Sequence, residues 1–135
     1  MNTSIDNLVP LVASSFKLKL FTKAQLQKLI KNHLTNSEII HKGDGNTIDF
    51  KPVVKIFTPD ANCTWLLSEL APNLLAFGLC DLGMGHPELG YVSLHEIQTL
   101  RGNYGLPVER DRWFVADKIL SQYAKEARRE GRITA

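Results

Sequence analysis

Four extended runs, "PVVKIF", "TWLLSEL", "LLAFGLCDL" and "ELGYVSL", follow one another between residues 52 and 94, and the links between them hold only three to six residues. Parallel neighbours need a crossover of about a dozen residues or more, so links this short restrict the runs to an antiparallel meander. Thr64 and Trp65 suit a pleated surface. Alternation in the second run places Trp65, Leu67 and Glu69 on one face and Leu66, Ser68 and Leu70 on the other. A later stretch, "LPVERDRWFV", is expected to be extended too, and a sheet there would bury Trp113 as it would Trp65.

Helical periodicity brackets the meander. In "TKAQLQKLIKNHL", Thr22 and Gln25 have capping-box spacing, and Leu26, Leu29, Ile30, His33 and Leu34 form one apolar stripe. His33 is expected to pack at the helix end. Ser93 and Glu96 repeat the box spacing before "LHEIQTL", with Gly102 as a stop. A last helix, "LSQYAKEARRE", turns Leu120, Tyr123, Ala124 and Ala127 inward and ends before Gly131. Residues 1–19 are a poorly patterned lead-in, with a short helix expected after Asn7. The fold class is therefore α+β: an antiparallel sheet with three or so helices packed against it, in a single domain over residues 1–135.

Three motifs, "KIFTPDANCTWLLSEL", "AFGLCDLGMGHPELGYVSLHEIQTLRG" and "GLPVERDRWF", resemble in order and spacing the bacterial family called domain of unknown function 2958. The resemblance covers about residues 20–125. Members of that family are met on plasmids, integrative elements and phages, so the resemblance implies an accessory role in a mobile genetic element and no established activity. One departure is His86, where the family pattern has an aromatic residue. A metal-ligating or basic role for His86 would therefore not be the family's.

Charge is unevenly placed: net +4 over residues 1–57, −5 over 58–100 and +3 over 101–135. Lys17, Lys19, Lys23, Lys28 and Lys31 early, and Lys125, Arg128, Arg129 and Arg132 late, are candidate phosphate contacts if the two helices converge. Charge runs of this kind are usually solvated helix faces, and the chain has no nucleic-acid-binding motif. The two cysteines, Cys63 and Cys80, make no disulfide framework, and Cys80 reads as a small core residue. No run approaches the ~20 apolar residues of a membrane span. The segment "LVPLVA" is too short for a signal peptide and is broken by Pro10. The expectation is a cytoplasmic protein without membrane attachment.

The stretch "GMGHPELG" has neither GxxxxGK[ST] nor GxGxxG spacing and precedes a strand, so it reads as a turn and not a phosphate cradle. Cys63, Cys80, Asp81, His86, Glu88 and His95 lack the paired spacing of a metal site, and no metal or cofactor is expected. Glu69, Asp81 and Glu88 lie near ends of neighbouring predicted strands and are the catalytic candidates, able to divide acid and base roles if they cluster. The favoured reading is a non-enzymatic accessory protein that binds an unknown protein partner. Its support is the lysine-free acidic centre and the open sheet edge. A DNA- or RNA-binding protein is the alternative, with Lys23, Lys28, Lys31, Arg128 and Arg129 as contacts. A carboxylate-dependent hydrolase comes third.

Overall fold

Residues 5–13 and 20–135 are described in the computed structural model of the chain. Among them, α1 (Ile5–Ala13) and α2 (Lys23–His41) precede the meander of β1 (Val54–Phe57), β2 (Thr64–Leu70), β3 (Leu75–Asp81) and β4 (Glu88–Ser93). Then come α3 (Leu94–Thr99), the two-residue β5 (Glu109–Arg110) and α4 (Leu120–Glu130). The strands form one sheet in the order β4-β3-β2-β1-β5, and every neighbouring pair is antiparallel. The fold is α+β, with four helices packed on the sheet.

One face is sealed by α1, α2 and α3. The alternate residues Val54 and Ile56 of β1, Trp65 and Leu67 of β2 and Ala76 of β3 meet Leu26, Leu29 and Ile30 of α2 and Leu94 and Ile97 of α3 there. The lead-in contributes more than its pattern promised. Helix α1 begins at Ile5, runs through Pro10 and buries Leu8, Val9 and Val12 in this core. Pro10 costs one intrahelical bond, which that apolar burial offsets. The α2 start forms as its residues dictate: the Thr22 hydroxyl accepts from the Gln25 N–H, and the Gln25 amide oxygen accepts from the Thr22 N–H. At α3 only the forward arm is made, from the Glu96 N–H to the Ser93 hydroxyl.

Simple alternation does not survive along β2. Leu67 opposes Gly78 while Glu69 opposes Phe77, so one extra residue, Ser68, is inserted as a bulge. The bulge turns Leu70 onto the face of Trp65 and Leu67 and separates Glu69 from them, correcting the alternation expected. Its backbone is served by α2: the Asn32 amide donates to the Ser68 carbonyl at 3.0 Å, and the Ser68 hydroxyl donates to the Phe77 carbonyl at 3.4 Å. One turn on, the buried Asn36 exchanges two bonds with the backbone of Ile48 and donates to Glu69 Oε2 at 3.1 Å. Helix α2 is thus longer than the stripe ending at Leu34, and beyond Ile30 its inward face carries the buried Asn32 and Asn36 beside Leu34.

The other face carries α4 over β3 and β4, where Leu120, Tyr123, Ala124 and Ala127 pack on Leu66 and Leu79. The four inward positions are those the periodicity marks. Helix α4 has no side-chain cap of its own. Its first N–H groups are taken by the Phe50 carbonyl and the Asp49 carboxylate, at 2.9 and 3.2 Å. It stops at Gly131 in the left-handed conformation. Because α4 packs on the β3–β4 side, the β1–β5 half of this face is left without a helix of its own.

Candidate binding surface

"LPVERDRWFV" forms only the short β5, which pairs Glu109 and Arg110 with Phe57 and Ile56. After Asp111 the chain leaves the sheet. The Asp111 carboxylate accepts from the Trp113 N–H at 2.9 Å, closing a tight turn that lifts the indole outward. Trp113 is 91% exposed, which overturns the expectation that the sheet buries it. Trp65 is buried as expected, with its indole N–H unpaired.

The backbone that presents Trp113 is fixed on both sides. Before it, the Asp111 N–H donates to the Lys55 carbonyl at 2.9 Å. Beyond it, the Phe114 ring packs against Tyr123, centroids 6.2 Å apart, and the Tyr123 hydroxyl donates to Asp117 at 2.8 Å. That bond holds the Asp117 carboxyl below its ordinary range. Val115, 87% exposed, lies between these anchors.

Beside Trp113 a cleft of about 550 Å³ is lined by Phe57, Arg110, Asp111 and Arg112. A second cleft of the same size shares Phe57 and Asp111 and continues over Lys55, Thr64, Asp81 and Arg132. The first cleft reaches round the β5 edge to Leu20 and Val108 of the closed-face core, and the second lies over the sheet half that α4 leaves free. Lys55 and Asp111, both in the lining of the second, are paired. Lys55 Nζ lies 3.5 Å from Asp111 and donates to the Ala135 carbonyl at 2.6 Å.

Other exposed residues gather where the loops after β1 and β3 meet the loop before β5. Asp60 builds this corner: its Oδ2 accepts from the N–H groups of Tyr104 and Leu106, at 2.6 and 3.3 Å. A β-carbon on Gly102 would fall within the space of the Asp60 carboxylate, so glycine there serves this close approach and is not the α3 stop expected; α3 ends with Leu100 extended. The loops display Tyr104 (87% exposed) and Met84 (72%). Gly83 and Gly85 both have positive φ, as the turn reading of that stretch requires. Asp60 and Trp113 are the residues that sequence reasoning undervalued. The signal available was the turn chemistry of "TPD" and "RGNYG", rich in Pro, Asp, Asn and Gly.

The three candidate carboxylates do not meet. Glu69 and Asp81 lie at opposite ends of the β2–β3 pair, since Asp81 opposes Thr64, five residues along β2 from Glu69. At ~3.3 Å per residue that is on the order of 16 Å. Asp81 is buried, and its two oxygens accept from the N–H groups of Gly83 and Ile133, both at 2.9 Å, joining the β3–β4 turn to the C-terminal tail. Glu88 is exposed opposite Cys80. Glu69 is half-buried, and burial pushes its carboxyl above the usual range against the pull of Asn36. Among the described residues no three His, Cys, Asp or Glu side chains stand close enough together to hold a metal ion. Burial raises both thiols, Cys80 to about 11, which keeps them protonated at neutral pH.

The basic helices do not converge. Lys23, Lys28 and Lys31 are exposed on α2, on one side of the sheet, and Arg128 and Arg129 are exposed on α4, on the other. Lys17 and Lys19 lie outside the described residues. No described helix is long and apolar enough to cross a membrane.

A five-stranded antiparallel sheet, sealed by helices on one face and half open on the other, with an exposed tryptophan at the open edge, defines an α+β protein built around a free surface. The chain belongs to the DUF2958 family, described as proteins of unknown function, whose model matches residues 20–134. No curated protein and no solved structure matches it.

Proposed function

We propose that the chain is a non-enzymatic binding module whose partner is a protein docking on the open β1–β5 half of the sheet, over Trp113. The observation that carries this is Trp113 itself: a large aromatic, 91% exposed, on a backbone pinned on both sides. Tryptophan and arginine dominate the energetics of protein interfaces, and here Arg110 and Arg112 line the cleft beside it. A rigid presenting backbone also lowers the ordering cost of association. The setting in a bacterial mobile element, and a cytoplasmic location, remain part of this proposal and rest on the sequence resemblance and composition. Separation of Glu69 from Asp81 supports a binding role over hydrolysis.

The test is a photoreactive amino acid at position 113, with a second at position 125 on the solvent side of α4 as control, expressed in the native host. A discrete adduct at 113 and none at 125 is the expected result. Equal, diffuse labelling at both positions would sink the proposal.

A nucleic-acid partner is favoured by one observation, the exposed indole beside Arg110 and Arg112, the combination that stacks a base and holds a phosphate. Fluorescence anisotropy with single- and double-stranded oligonucleotides at two salt concentrations separates this reading. Tight binding of single strands that Trp113→Ala abolishes would replace the protein partner by a strand of nucleic acid. Absence of binding at low salt would remove this alternative.

A further inference from the structure

A second cavity, of about 320 Å³, lies at the other end of the β2–β3–β4 sheet, where the end of α2, residues 47–49 and the start of α4 come together. Its walls are mainly apolar. Phe77 and Tyr91 form a tilted ring pair with centroids 5.0 Å apart, and Leu89, Ile40 and Ile48 complete the lining. Into it opens one half-buried carboxylate, Glu69. Its Oε2 accepts from Asn36 at 3.1 Å, and its Oε1 has no protein partner among the described residues.

The lining holds no lysine or arginine. His33 is the one basic group, and burial lowers its pKa, so at neutral pH it is uncharged. Asp49, also in the lining, has one oxygen engaged in capping α4 through the Ser121 N–H. The cavity therefore carries negative charge and aromatic faces and has no internal counter-charge. A volume of this size is at the small end of ligand pockets.

We propose that this cavity is a receptor site for a small organic cation, a primary amine or guanidinium on an apolar or aromatic stem, with Glu69 as its counter-ion. The free Oε1 takes the charge-assisted hydrogen bond, the Tyr91 and Phe77 faces attract the cation and its stem, and Asn36 fixes the carboxylate in place. Carboxylates and phosphates are repelled, because nothing in the lining offers them a positive charge. This site is independent of the Trp113 surface and stands whether or not that surface binds a protein.

Three probes of nearly one shape test it on the full chain by amide NMR titration: 2-phenylethylamine, 2-phenylethanol and phenylacetate. The amine is expected to give saturable shifts around Phe77, Tyr91 and Glu69, with affinity at least ~tenfold above that of the alcohol, in line with a charge-assisted bond. Phenylacetate is expected to give none. Glu69→Gln should bring the amine down to the alcohol's affinity, and Tyr91→Leu should weaken it about threefold through loss of the ring face. Tyr91 is 68% exposed, so that second variant reports even if Glu69→Gln perturbs the fold. Equal affinity for all three probes, no saturable shift with the amine, or unchanged amine binding in both variants would overturn the proposal.

Discussion

The two tryptophans of this chain, one within the sheet and one just past its edge strand, have opposite fates. Trp65 is in the middle strand of the meander, 1% exposed, against the face that α1, α2 and α3 cover. Trp113 follows the two-residue edge strand and is 91% exposed, beside the half-face that α4 leaves open. The difference is one of cover and not of residue type. Where helices of sufficient length reach the sheet, apolar side chains close a core; where the chain has only a short edge strand and a tail, the same residue type is left exposed. The same division appears in the polar groups. On the closed side Asn32 and Asn36 are buried, the first bound to the Ser68 carbonyl and the second to the Ile48 backbone and Glu69, whereas on the open side Lys55, Asp111 and Arg132 line accessible clefts.

The sharpest contrast is Trp65→Ala, which should cost about 3–5 kcal/mol in urea unfolding, through lost burial and an unfilled cavity. An unchanged midpoint would mean that the closed face is not the core. Next comes Asn36→Leu. It strips both bonds from Ile48 and one from Glu69, leaving the Ile48 backbone groups unpaired, and should cost about 2–3 kcal/mol. Amide exchange at Ile48 should rise with it. Asp81→Asn keeps the shape and removes the charge that two N–H groups share, for about 1–2 kcal/mol, with the C-terminal tail loosened first at Ile133.

A smaller effect is expected from pH. Burial raises the Glu69 carboxyl, so the folded chain holds that proton more tightly than the unfolded chain does. Stability contributed by the protonated form is therefore lost as pH rises from the ordinary carboxylate range through the raised value. Glu69→Gln should flatten that part of the pH–stability curve. A curve that instead steepens in the variant would show that Glu69 is stabilised as its anion.

Much of the architecture was legible because local and long-range signals agree. Short links forced the antiparallel meander, the Thr22–Gln25 box fixed the start of α2, and four inward positions of α4 followed from their spacing. What could not be read has identifiable causes. The Ser68 bulge depends on a carbonyl being met by Asn32, a contact across 36 positions of sequence, so alternation along β2 mispairs Glu69 with Trp65. Asn32 and Asn36 look like the solvent side of an amphipathic helix, and only contacts remote in sequence, Ser68 of β2 for Asn32 and Ile48 for Asn36, make them interior. Trp113 was misplaced because a strand pattern in sequence does not tell how many of its residues find a partner. Here only two do. The candidate carboxylates failed to cluster for a related reason. Glu69 lies at the end of β2 and Asp81 ends β3, and successive antiparallel strands end at opposite ends of the sheet. Glu88 shares the Asp81 end but, opposing Cys80, lies one position off and so on the other face.

The proposal that Trp113 serves a partner and not the fold is addressed in both halves by one paired measurement on Trp113→Ala. Its urea midpoint should match the wild type within about 0.5 kcal/mol, as for an exposed residue, while the adduct formed by a photoreactive group at position 112 in the native host should disappear. A stability loss comparable to that of Trp65→Ala, or an adduct undiminished by the substitution, would contradict it.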